Sequence, residues 1–166
     1  MLSLTRSRWR SVLALLVAAA CLLLVGAWWI THPPALPVKQ GHVTAVTTPG
    51  RAVYVGLFSG VVTDRTLRVG GVHLHTDATV PVVVEPLLCR GGSVNVTSDA
   101  AAFCSELVDP TGEQLRPQDS ILVRVIAQEA GAAFVGRLSL TYRSGLRVAT
   151  QPAGTSAVVA VVPPTP

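Results

Sequence analysis

Residues 11–30, SVLALLVAAACLLLVGAWWI, carry no charged side chain. As a helix rising about 1.5 Å per residue, this run spans roughly 30 Å, the thickness of a bilayer's hydrocarbon. A helix that is apolar on every side has no face for water, so it needs lipid or a deep protein interior. Arg6, Arg8 and Arg10 precede the run, and the next basic residue is Lys39. That asymmetry predicts a cytoplasmic N-terminus over residues 1–10, a transmembrane helix over 11–30 and an extracytoplasmic C-terminal part. Trp9 on one side, and Trp28 and Trp29 on the other, suit the two bilayer interfaces. Pro33 and Pro34 stop the helix just beyond.

Two other fates compete with this signal-anchor reading. Val25-Gly26-Ala27 resembles a small-residue cleavage site. No polar segment separates it from the apolar run, however, and Trp28, Trp29 and Ile30 extend that run. Cys21 follows three alanines, as in a lipoprotein signal, but a large aliphatic residue is lacking three positions before it and nine apolar residues follow. Retention of the whole segment is the expectation, with Cys21 a small apolar residue within it.

The chain of 166 residues has a formal charge of +4, yet three of its thirteen basic residues stand before the apolar run. The remaining ten face nine acids, so the exported part is nearly neutral. The basic footprint of a nucleic-acid binder is missing. Twelve of the thirteen basic residues are arginine, in a chain rich in Ala, Val and Gly, which is the composition of high-GC bacterial proteins.

"THPPALPVKQG", residues 31–41, reads as a Pro-rich stalk, and residues 163–166 as a frayed tail. Between them, residues 42–162 alternate apolar and polar again and again. In FVGRLSLTYR the alternation puts Phe134, Leu138, Leu140 and Tyr142 on one face, and Val135, Arg137, Ser139, Thr141 and Arg143 on the other. Ile121, Val123 and Val125 share a face in the same way. About eight such segments, broken by Gly, Pro, Asp and Ser, predict a mainly β domain, an antiparallel immunoglobulin-like sandwich. Ser144-Gly145 marks a tight hairpin, and EAGAA around Gly131 another turn. Pro81 and Pro86 place their strand at an edge or a bulge. One short helix is expected near residues 99–106, with Ser98 or Asp99 as its cap.

Three cysteines leave two outside the apolar run. Cys89 and Cys104 lie fifteen positions apart, without CxxC spacing or neighbouring histidines. In an exported domain they predict a disulfide. Closing a loop of that size contributes about 3 kcal/mol in the chain-entropy picture.

The ligand-like cluster is VHLHTD. On a strand, His73, His75 and Asp77 project together while Val72 and Leu74 turn inward. Two imidazoles and a carboxylate suit zinc or copper, with His42 as a further donor, but the same spacing describes a solvated face. Arg124, Arg137, Arg143 and Arg147 fall on polar faces of predicted strands, as an anion-binding ladder or as solvated partners of acids such as Glu129. Asn95 opens an NVT sequon. Nucleophile elbows, HExxH helices and phosphate loops are absent, which argues against an enzyme and gives no catalytic residue and no cofactor to expect.

LVDPTGEQLRPQDSILVRV resembles a stretch of immunoglobulin-like bacterial ectodomains in which a Pro-Gly-Asp-like turn, here Pro117-Gln118-Asp119, launches a strand. LSLTYRSGLRVATQ is similar to the endings of uncharacterised actinobacterial single-pass membrane proteins. The resemblance implies the same fold and compartment and carries no site over. The expectation is a membrane-anchored, non-catalytic interaction or accessory module of the cell envelope, whose partner is another envelope protein. An extracytoplasmic metal-binding protein using the His73/His75/Asp77 face is the alternative, and an envelope enzyme the third.

Overall fold

A computed structural model describes residues 3–31, 33–63 and 65–164; within these, the side chains of 3–11, 31 and 62 lie outside the description. The side chains of Arg6, Arg8, Trp9 and Arg10, and the last two residues of the tail, are therefore outside it too.

Helix α1, Ser3–Thr31, contains the uncharged run. Its segment Val12–Ile30 is long and apolar enough to cross a membrane and is not buried by the rest of the chain. A signal sequence has the same length and composition.

Among the described residues, twelve strands follow. β1 is Val38–Thr47, β2 Val53–Ser59, β3 Leu67–His73, β4 Thr76–Ala78, β5 Val82–Arg90 and β6 Val96–Thr97. β7 is Glu106–Val108, β8 Gln114–Leu115, β9 Ser120–Ala127, β10 Gly131–Val135, β11 Leu138–Ser144 and β12 Arg147–Val161. They form two sheets in sandwich-like packing. One has seven strands along the path β4-β10-β12-β11-β3-β8 with β1 added on β12, and the other has five in the order β6-β2-β9-β5-β7. All pairs are antiparallel except β1 with β12.

The core lies between the sheets. Val53, Val55 and Leu57 of β2 and Ile121, Val123 and Val125 of β9 meet Leu67 and Val69 of β3, Leu138 and Leu140 of β11 and Val159 of β12. Ile121, Val123 and Val125 do share a face, as the alternation predicts. Each such side chain, fully buried, stabilises the fold by about 1.5–3 kcal/mol.

The alternation fails at one place. Leu138, Leu140 and Tyr142 are buried, but Phe134 is exposed and Val135 is buried. Residues 136–137 interrupt the chain between β10 and β11. The ladder to β12 slips there, from Val135↔Ala157 to Leu138↔Ala153. A one-residue slip moves every later side chain to the opposite face.

Other boundaries differ from the expectation. β1 begins at Val38, inside the stretch read as a stalk. The preceding residues are docked rather than free: Leu36 is buried, its N–H donates to Gln151 Oε1 at 2.9 Å, and Gly154 N–H donates to Pro37 O at 3.0 Å. The carbonyls of Pro33, Pro34 and Pro37 accept from Gln151 Nε2, the Tyr142 hydroxyl and Gly154 N–H. No helix forms at residues 99–106. Asp99 Oδ1 accepts from Ala101 N–H, and Cys104 N–H reaches Ala100 O, which makes a single turn before β7. The 3-10 helix is elsewhere, at Gly60–Thr63. The turn after β9 links the two sheets, and Gly131 is already in β10. Pro86 lies where β5 has β9 alone beside it, since β7 pairs only from Leu88 to Arg90, so the edge reading holds.

Candidate binding cleft and the predicted site residues

β1 carries a bulge. Val38 pairs with Gly154 and His42 with Ser156, so Lys39, Gln40 and Gly41 stand against Thr155 alone. Gly41 O accepts from the hydroxyls of Thr155, at 3.2 Å, and Ser156, at 3.1 Å. The bulge swings β1 away from β2 and opens a cleft of about 390 Å³ between them. Lys39, His42 and Val43 line one side, and Leu57, Phe58 and Ser59 the other. Residues 93–95 close one end, where Gly56 N–H donates to Asn95 O at 2.9 Å. The floor is Gly154, with φ +71°. A Cβ there would stand 2.1 Å from Leu57 O, so glycine is required where the sheets meet backbone to backbone.

β6 pairs only with Tyr54 and Val55, so beyond Gly56 the β2 edge beside the bulged edge of β1 carries no strand partner among the described residues, and only Gly154 approaches it, at Leu57 O. Among the described residues, no carboxylate lines the cleft. Ser120 is committed to Gly92 O at 2.9 Å. The cleft thus offers main-chain donors and acceptors, one lysine and one imidazole. That is chemistry for holding an extended segment by added strand pairing.

The histidine cluster does not assemble as expected. β3 ends at His73 and β4 starts at Thr76, so the motif spans two short strands. His73, His75 and Asp77 are exposed, and Val72 and Leu74 pack against the core as predicted. His75 Nε2 lies 3.1 Å from Asp77 Oδ2, but His73 Nε2 leans back toward Gly71. His42 lines the cleft. Among the described residues, no group of three or more His, Cys, Asp or Glu is placed to hold a metal ion.

The arginine ladder is likewise divided. Arg124 lies on β9 in the five-stranded sheet and faces Glu85, its cross-strand partner, at 3.4 Å. Arg143 and Arg147 lie in the other sheet, and Arg137 between β10 and β11, where it donates to Gln40 Oε1 at 3.3 Å. Asn95 is exposed beside β6.

Cys89 and Cys104 are joined by a disulfide. With Val94, Ala100 and Leu122 they form a second, small core on the outer side of the five-stranded sheet. Sequence reading misses what stands beside it. Asp119, 2% exposed, accepts from Arg90 Nη1 at 3.1 Å, Gly91 N–H at 2.9 Å and Arg116 N–H at 2.9 Å. Arg90 also grips Glu113 and Gln114 O. The Pro117-Gln118-Asp119 turn does launch β9, and its aspartate is the hub of this network. The turn was the legible signal; Arg90, 29 positions away, was not.

Among the described residues outside α1, Asp109 and Tyr142 are perturbed. Asp109 is held below its ordinary value by the backbone and hydroxyl of Thr111. Burial raises Tyr142, against the opposing pull of Arg65 and Arg147.

Compared with family models, curated proteins and solved structures, the chain matches none.

Proposed function

We propose that this chain is a single-pass plasma-membrane protein whose immunoglobulin-like domain faces outward and binds another envelope protein without catalysis. The observation that carries the binding role is the cleft between β1 and β2, framed by strand edges and, among the described residues, lined by no carboxylate. An open strand edge is a template on which another chain can pair. Three features support the compartment: arginines on one side only of the apolar run, an exposed apolar helix, and a disulfide, which fits an oxidising environment.

A photo-crosslinking residue at His42, introduced into the full chain in its native membrane, tests this. The expected result is one discrete protein adduct, obtained from His42 and not from Thr150 on the far reach of β12. Equal labelling from both positions, or none from either, contradicts the reading.

A further inference from the structure

Trp29, Pro33 and Val38 meet β12 in order along its length. The Trp29 ring meets Arg147, Pro33 O accepts from Gln151 Nε2 at 3.4 Å, and Val38 pairs with Gly154. The tip of the β11–β12 hairpin, Gly145 and Leu146, is therefore level with the last turn of α1 rather than at the far end of the domain. Arg147 fixes that placement, with its guanidinium 3.4 Å from the Trp29 ring centroid.

The tip has an unusual surface for a turn. Gly145, at φ +61°, suits the first position of a two-residue hairpin turn, but the second is Leu146, 71% exposed. Val148, 61% exposed, follows it. On the same outer face, Arg143 pairs with Val148 on one side and with Arg68 of β3 on the other. Arg68 and Arg143 are both exposed, and like charges directly opposite across a ladder repel. Among the described residues no ion pair relieves Arg65, Arg68, Arg143 or Arg147; Glu113, on the neighbouring strand turn, is paired with Arg90.

We propose that this hairpin is a second membrane contact, in which Leu146 and Val148 enter the headgroup region while Arg68 and Arg143 bind anionic phospholipid headgroups of the same bilayer. An anion between the two arginines removes their repulsion, and an apolar tip flanked by cations matches a lipid surface. Continuity with α1 names the occupant, because the bilayer that receives Trp29 lies at the hairpin's level. The domain then sits against the membrane in a fixed orientation, with its cleft held at a constant height.

This inference rests on the membrane-anchor reading. The test uses the full chain carrying Cys21→Ser and Leu146→Cys, labelled at residue 146 with an environment-sensitive fluorophore, in nanodiscs of phosphatidylcholine with or without phosphatidylglycerol. In phosphatidylglycerol discs the label should emit at shorter wavelength and be quenched by spin-labelled lipid. Both effects should be lost in pure phosphatidylcholine discs and in a variant that also carries Arg68→Glu and Arg143→Glu. A chain that enters the discs but keeps the same water-like emission in every disc overturns the hairpin contact alone. Quenching that ignores lipid charge and both arginines overturns the headgroup assignment. A chain that fails to enter any disc overturns the anchor and this inference together.

Discussion

Helix α1 and the sandwich are built from the same apolar residues and treat them in opposite ways. Leu22 and Leu23 on the helix are 74% and 75% exposed, while Leu67, Leu115 and Leu140 in the sandwich are fully buried. In the sandwich, alternation every second residue gives each sheet one wet and one dry face, and the dry faces meet. The helix has no such periodicity and presents apolar surface all round. Its backbone is satisfied internally, so lipid can solvate it where water would not. One chain thus contains two kinds of apolar surface, one buried by the chain itself and one that, on the proposed reading, a bilayer covers.

The largest effect is expected where the sandwich interior departs from apolar packing. Asp119→Ala removes the carboxylate that serves Arg90, Gly91 and Arg116, and should cost about 3–5 kcal/mol, since two backbone N–H groups lose their acceptor at a buried site and Arg90 keeps only Glu113 and Gln114 O. Arg124→Ala breaks only the exposed pair with Glu85 and should cost less than about 1 kcal/mol. Urea unfolding followed by far-UV circular dichroism in detergent gives both values. Tryptophan emission would not serve, because Trp9, Trp28 and Trp29 all belong to α1. Similar costs for the two variants would deny the Asp119 hub.

A matched leucine pair sharpens the contrast directly. Leu140→Ala should destabilise the sandwich by about 2–5 kcal/mol, whereas Leu23→Ala, by the same unfolding measurement, should leave it unchanged. A sandwich penalty from Leu23→Ala would mean that the helix packs as part of the domain.

The disulfide covers the outer face of the five-stranded sheet, where the second core is small. Cys89→Ala should cost about 2–5 kcal/mol, toward the lower end because the main core lies on the other side of the sheet. Alkylation of native protein without reductant should label neither Cys89 nor Cys104, and labelling of both would contradict the bond.

The smallest effect is expected at the histidines. Replacing His73 and His75 together by Thr should leave stability within about 0.5 kcal/mol, as both are exposed and Thr suits strands. Added Zn²⁺ should shift the melting temperature of wild type and variant equally. A shift confined to the wild type would restore the metal reading of that face.

The contrast also explains what the sequence could convey. Both kinds of burial are local patterns, so the apolar run and the strands over 120–127 and 138–144 are readable from spacing alone. Phe134 was misplaced because the slip at residues 136–137 is set by pairing with β12 and leaves no trace in the local alternation. The Pro-rich stretch misled for a related reason: proline forbids a helix, but whether Leu36 finds a pocket depends on Gln151 and Gly154, more than a hundred residues later. The expected helix at 99–106 had a cap and helix formers, yet Cys104 is tied to Cys89, and the chain turns back to pair as β7. The cleft was invisible because its two edges come from strands whose partners are fixed only by the fold. The three-ligand face of His73, His75 and Asp77 needed one continuous strand, and the chain breaks at residues 74–75.

The central claim is that α1 stays on the chain and is held by lipid as an intact helix. The direct measurement is the intact mass of the protein extracted from membranes that have been washed with alkaline carbonate. The account predicts the full chain from its N-terminal residue, less the two hydrogens lost when Cys89 and Cys104 join, with no added mass on Cys21. A chain that starts at Trp28, or one that starts at Cys21 with a lipid attached, would contradict it.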